Sequence, residues 1–179
     1  PTEFFAGTLH SAQNLFNADV SKYFDGLIGN GLNVAFGAEH RKDSYRIEPG
    51  EEASYVGTGS QVFPGFRPQD SGSFDRDSNA VYLDLESDVT DQFATSLAVR
   101  YEDYSDFGST TSGKLSGRYS FTDTVALRGT VSTGFRAPSL AQQFYATTAT
   151  NFIGGVPFDV RTFAVTDPVA IALGAEPLQ

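Results

Sequence analysis

His10 and His40 are the only histidines in the chain, and no cysteine accompanies them. Imidazole and thiolate are common zinc ligands and common partners of nucleophilic catalysis. Two histidines thirty residues apart, with no ligand beside either, read as ordinary strand residues. The lack of cysteine also removes disulfides, thiolate metal sites and cysteine nucleophiles. Asp75, Asp77, Asn79 and Glu86 match positions 1, 3, 5 and 12 of a calcium-binding loop, but Ala80 stands at position 6, where that loop needs glycine for its turn. Residues 80–86 also alternate as a strand, which would scatter the ligands. A looser calcium site built from Asp70, Asp75 and Asp77 competes with the plainer reading of solvated carboxylates. Gly26, Gly29 and Gly31 begin a glycine-rich pattern that fails where Val34 replaces the next glycine, and no helix follows. No GxSxG is present. The sequence therefore predicts no catalytic residue, no metal site and no cofactor.

What remains is the chemistry of binding. The segment 48–74 is rich in Gly, Ser and Pro and carries Tyr55, Phe63, Phe66 and Arg67. The segment 142–167 is similar in character, with Tyr145 and Arg161 among further phenylalanines. Aromatic and arginine side chains on loops held by a rigid scaffold are suited to ligand capture. These six residues, with Arg136 from the run Gly134-Phe135-Arg136-Ala137-Pro138, are the expected substrate contacts. The competing reading is loop self-packing. For the 134–138 run it is a strand end, because Pro138 has no N–H to donate and forces Ala137 into an extended conformation.

Such loops need a scaffold, and the hydrophobic pattern supplies one. Apolar residues alternate with polar ones at Leu32-Val34-Phe36-Ala38, Val81-Leu83-Leu85, Leu97-Val99-Tyr101, Leu115-Tyr119-Phe121 and Val125-Leu127-Val131. Period-two alternation means strands with two unlike faces. The opposite face carries Glu39, Asp84, Arg100, Glu102, Lys114, Arg118, Arg128 and Arg136, a wet surface unsuited to a packed core. The sequence predicts an all-β, antiparallel up-and-down meander of about six long strands, near 4–20 (where alternation is broken), 31–47, 77–88, 92–104, 110–121 and 124–136. Short turns at about 86–91 and 120–124, with a longer one around 25–30, alternate with a medium connection at 103–110 and long irregular loops over 48–76 and 137–179. Several strands offer ten residues or more, and a tilted strand crossing a bilayer needs ~9–11. Tyr101, Tyr104, Tyr119 and Phe121 would suit an aromatic girdle at the bilayer surface. A soluble antiparallel β-domain with one wet face, acting as a binding or adhesion module, would give the same alternation.

Composition narrows the classes further. The 179 residues carry 12 Lys+Arg against 22 Asp+Glu, a net charge of −10, so nucleic acid is an unfavourable partner. The chain is 40% hydrophobic and 13% aromatic, too apolar for disorder. Both ends, Pro1-Thr2-Glu3 and Pro177-Leu178-Gln179, read as cut from a longer protein.

The run Leu127-Arg128-Gly129-Thr130-Val131-Ser132-Thr133-Gly134-Phe135-Arg136-Ala137-Pro138-Ser139-Leu140 resembles the strand-end signature of TonB-dependent outer-membrane receptors. Arg100-Tyr101-Glu102-Asp103-Tyr104-Ser105-Asp106-Phe107-Gly108, followed by Lys114, is similar to a hairpin of that family, and Leu32 to Arg46 to one of its strands. The resemblance implies a partial barrel domain, without its plug, from a 22-stranded transmembrane β-barrel. It further implies the bacterial cell outer membrane as location, with membrane lipid, a plug domain and TonB as partners of the parent protein. The implied ligand is a scarce nutrient: a ferric siderophore, an oligosaccharide or a cobalamin. An isolated fragment of about six strands would keep two open sheet edges, and is expected to self-associate through them.

Overall fold

The computed structural model describes residues 3–56, 60, 63–176 and 178. Six strands, β1 (Thr8–Phe24), β2 (Leu32–Glu48), β3 (Gly72–Thr90), β4 (Phe93–Tyr104), β5 (Gly108–Ser120) and β6 (Ala126–Ser132), form one sheet in sequential order. A second sheet is the hairpin of β7 (Thr147–Ile153) and β8 (Val156–Thr162). Two short helices, α1 (Leu140–Phe144) and α2 (Pro168–Ala172), flank that hairpin in the chain. The chain divides into two compact units: a strand unit, 14–42 with 77–136, and a loop unit, 1–13 with 43–76 and 137–179.

In the strand unit the antiparallel register is continuous. Leu85 lies opposite Leu97, Leu97 opposite Leu115, and Leu115 opposite Val131. Side chains directly opposite share a face, so one face is an unbroken apolar surface, and Leu83, Leu97, Val99, Leu115, Leu127 and Val131 are all exposed on it. The other face runs through Asp84, Ala98, Lys114 and Ser132 in one row, and Ser96, Ser116 and Thr130 in another. Ser96 and Ser116 hydrogen-bond across the ladder at 2.6 Å. On the same face Arg100 donates to Glu102 at 2.9 Å and to Glu39 at 3.2 Å, and Glu39 also accepts from Arg41 at 2.7 Å. A Cβ on Gly37 would come within 2.6 Å of the Tyr82 ring carbon Cζ, so the tyrosine of β3 lies where only glycine leaves room on β2.

Turn chemistry closes the strands. The Thr90 hydroxyl accepts from the backbone N–H of Phe93 at 3.0 Å, leaving a two-residue turn between β3 and β4. The Thr122 hydroxyl does the same for Val125 at 3.1 Å before β6. Residues 105–107 alone separate β4 from β5, so the expected medium connection at 103–110 is a tight turn. Tyr104, expected in a surface girdle, is instead buried, stacked on Phe107 at 4.4 Å and edge-on to Phe135 at 6.0 Å. Tyr101, Tyr119 and Phe121 are exposed.

The loop unit is organised around a small core of Tyr45, Ile47, Phe66 and Leu140, with Phe74, Phe144 and Tyr145 packed against it. Phe74 and Phe144 stack at 4.1 Å. Segment 137–176, expected as an irregular loop, carries α1, β7, β8 and α2. Its hairpin turns on Gly154 and Gly155, both at positive φ, the requirement of a two-residue turn that matches strand twist. β6 ends at Ser132, four residues earlier than the alternation suggests, and Thr133 adds a last rung to Gly113. Beyond it the 134–138 run hands over to α1. Pro138 offers its carbonyl to buried Arg76 at 2.7 Å, and Ser139 and Gln142 cap the helix reciprocally. Leu140 then enters the core.

Candidate functional site

The hairpin has two unlike faces, set by its register. Thr148 pairs with Arg161 and Thr150 with Asp159, so these four polar side chains share one face. Opposite them in the loop unit stands the 3-10 turn Pro68–Asp70, preceded by Arg67 in extended conformation. Arg67 grips the Asp159 carboxylate with two hydrogen bonds, 2.6 Å from Nη1 and 2.9 Å from Nη2. In the reverse sense, Arg161 donates from Nε to Asp70 Oδ1 at 2.9 Å and from Nη2 to the carbonyl of Gln69 at 2.8 Å. Thr150 donates to Asp159 at 2.7 Å and Thr148 to Asp70 at 3.1 Å. Two arginine–aspartate pairs, each with its arginine on a different segment, thus lock β7 and β8 to the 67–70 turn. Bidentate geometry makes the Arg67 pair directional as well as strong.

Electrostatics follow from that grip. The hydrogen bond from Arg67, then the one from Thr150, holds the Asp159 carboxyl down from 3.8 to about 2. Arg67 is raised above its ordinary value, first by its hydrogen bond to Asp159. Tyr55, which ends the 3-10 turn Glu52–Ser54, joins Val56, Arg67, Gln69, Thr150, Pro157 and Asp159 around an open cavity of about 420 Å³. Its wall offers a phenol, an amide, a hydroxyl and an ion pair, with Arg67 Nε buried and without a hydrogen-bond acceptor. Groups of this kind bind by hydrogen bonding and ring contact.

Of the residues expected to contact substrate, Tyr55 and Arg67 meet at this cavity. Phe66 does not: at 3% exposure it is a core residue, edge-on to Phe63 at 5.4 Å and to Tyr145 at 6.1 Å. Self-packing, the competing reading, holds for it. Phe63 remains exposed on the outer side of that cluster. Arg161 lies at the second clamp, with its guanidinium over the Phe163 ring at 4.8 Å. Arg136 is exposed and belongs to the strand unit. Thr148, Thr150 and Asp159 carry no signal of their own in the sequence; the Gly154-Gly155 turn is the one that sets their register. Asp70 accepts from Arg161 through Oδ1, and Asp75 and Asp77 lie along β3. Among the described residues no three metal-ligating side chains of the Asp, Glu, His and Cys types gather.

Long antiparallel strands in sequential order, apolar and exposed on one face and ionic on the other, define a transmembrane β-barrel wall. Residues 2–168 match the family model described as TonB dependent receptor-like, beta-barrel, and the chain belongs to that family. The crystal structure of the siderophore receptor PirA from Acinetobacter baumannii shares the fold, with a TM-score of 0.62 at 18% identity. The similarity covers 87% of this chain and 22% of that one, so the chain spans about a fifth of the receptor it matches. No curated protein matches it.

Proposed function

We propose that this chain is part of the barrel wall, with the attached loops, of an outer-membrane TonB-dependent receptor that takes up a scarce nutrient. The observation that carries the reading is the apolar face of the strand unit, exposed along its whole width and backed by Glu39, Arg100 and Lys114 on the other side. A water-soluble β-domain buries such a face; a barrel gives it to lipid. The polar face then lines a lumen occupied by the parent's plug domain, and the parent draws energy through TonB. A ferric siderophore is the favoured ligand class, since the structural neighbour is a siderophore receptor; oligosaccharide and cobalamin are the alternatives. Tyr55 and Arg67 are the proposed ligand contacts in the loop unit, with Phe63, Tyr145, Arg161 and Arg136 as secondary ones.

Because this segment has no cysteine, single cysteines report its faces cleanly. In the full-length parent in its membrane, Cys at position 97 or 115 should resist water-soluble thiol reagents and react with lipid-phase ones. Cys at 98 or 132, on the polar face, should show the reverse preference. Positions 97 and 115 shielded from both reagents would place them in a protein core and end the barrel reading. Ligand class is tested separately, by growth of a strain lacking the parent gene on each ferric siderophore, oligosaccharide or cobalamin as sole source.

A further inference from the structure

The polar face of the strand unit divides into two regions. In one, Glu39, Arg41, Arg100 and Glu102 satisfy one another. In the other, nearer the 91–92 and 121–125 turns, charge is sorted by strand. Asp84, Glu86 and Asp88 form a column on β3; Lys114 and Arg118 on β5 and Arg128 on β6 form a second one. The register sets them out in rows: Asp84–Ala98–Lys114–Ser132, Glu86–Ser96–Ser116–Thr130 and Asp88–Ala94–Arg118–Arg128. Between the columns β4 contributes only Ala94, Ser96 and Ala98, a floor of small side chains. Two strand spacings, ~9.5 Å, separate an acidic wall from a basic one, and each wall runs ~13 Å along its strand. The first row opens into a cavity of about 520 Å³, lined also by Asn17, Tyr82 and Arg100. Among the described residues, none of the six charged side chains in these columns makes a hydrogen bond or an ion pair.

A bare wall gains nothing from this order. Arg118 lies directly opposite Arg128, and like charges so placed repel across a ladder. The three acids follow one another at every second residue of one face, with no cation among them. Interspersed signs would relieve both repulsions. Sorted signs gain against a body of complementary pattern. We infer, resting on the reading of this face as luminal, that the trough docks a polypeptide segment of the parent chain. That segment carries basic side chains toward β3 and acidic ones toward β5 and β6. The structural neighbour is matched over only 22% of its length, so a parent of that size has ample chain to supply it. Phosphate-bearing lipid or nucleic acid meets the acidic wall. A divalent ion needs its ligands gathered, and no three acidic, His or Cys side chains gather among the described residues. A small zwitterion spans one row, not three.

The test places the photo-cross-linker p-benzoylphenylalanine at position 96, on the floor, in the full-length parent in its membrane. Irradiation should join it to another peptide of the same chain, bearing both basic and acidic side chains, as read by mass spectrometry. Lys114→Glu, Arg118→Glu and Arg128→Glu together should lower the yield about tenfold, with heat-modifiable mobility still showing an assembled barrel. If that variant does not assemble, Lys114→Gln, Arg118→Gln and Arg128→Gln together, which add no repulsion, should lower the yield about twofold. Cross-links to lipid, to a separate small molecule or to nothing would overturn the docking assignment, as would an unchanged yield in the assembled variant. Lipid-phase reaction of cysteine at 97 and 115 keeps the two readings apart. Where it occurs without a peptide cross-link at 96, the barrel stands and the docked segment falls.

Discussion

The strand unit and the loop unit apply the hydrophobic effect in opposite directions. In the loop unit Tyr45, Ile47, Phe66 and Leu140 leave water together, and the charged pairs that join its segments are partly exposed at their rims. In the strand unit Leu97, Leu115 and Val131 stand exposed while Glu39 and Arg100 face one another across the neighbouring strand. Nothing in backbone geometry separates the two cases; both rest on antiparallel ladders with tight turns. The difference lies in the solvent each surface is built to meet. Hydrocarbon needs no burial of leucine, and it forbids an unpaired backbone group, so the strand unit is all ladder where the loop unit can use irregular chain.

The sharpest way to break that contrast is to attack the one conventional core. Phe66→Ala should cost ~3–5 kcal/mol locally, the range for large-to-small changes in packed interiors. Limited proteolysis of the full-length parent should then cut within 49–71 or 137–176, while the barrel keeps its heat-modifiable mobility on gels. Loss of both together would show that the units are not separable. Next, Leu97→Arg and Leu115→Arg place a charge in hydrocarbon at a cost of ~2–4 kcal/mol near the bilayer midplane, and should lower the amount of assembled parent in the outer membrane. Ser96→Arg and Ser116→Arg lie on the ionic face and lose only a serine–serine hydrogen bond, ~1 kcal/mol. Equal assembly defects at all four positions would erase the distinction between faces. A smaller effect, ~1 kcal/mol, is expected for Ser139→Ala, which removes the reciprocal cap of α1; amide exchange should quicken over 140–144 without change in β6.

The mildest perturbation is acid. The Asp159 carboxyl is held at about 2 in the folded protein and titrates near 3.8 when free. Its depressed value means that the Arg67 contact contributes fully above pH ~4 and fades as pH falls toward 2. Since Asp159 is half exposed, solvent screens the pair and the effect is small. Amide exchange of β7 and β8 should rise in that window, and Asp159→Asn should exchange faster at neutral pH with no further acid step.

Period-two alternation made the strand unit legible because each of its strands meets two unlike environments, and that asymmetry is written locally. β3, β4 and β5 fall within a few residues of where the pattern puts them, apart from the start of β3, which extends back to Gly72. β1 is displaced, at 8–24 instead of 4–20, where Phe16 and Val20 fall on the face opposite Leu9 and Leu15 and break the alternation. The loop unit was harder because its order is non-local. Phe66 reads as a loop aromatic until Tyr45 and Ile47 of β2 and Leu140 of α1 are brought beside it from elsewhere in the sequence. The clamps are similar: Arg67 and Asp159 are separated by 92 positions, and nothing short of the folded chain pairs them. The hairpin could have been found from its paired glycines.

Alternation has a blind spot that Gly37 and Tyr82 remove. Sliding one strand past its neighbour by a single residue turns every leucine to the wrong side, an error the two solvents punish at once. Sliding by two restores every face and leaves the pattern indifferent. A tyrosine that fits only over a glycine is not indifferent, because after a two-residue slip its ring would fall on Ala35 or Glu39. The pair works as a notch and key, letting a wall that grows strand by strand reject the misalignments its hydrophobic code cannot see.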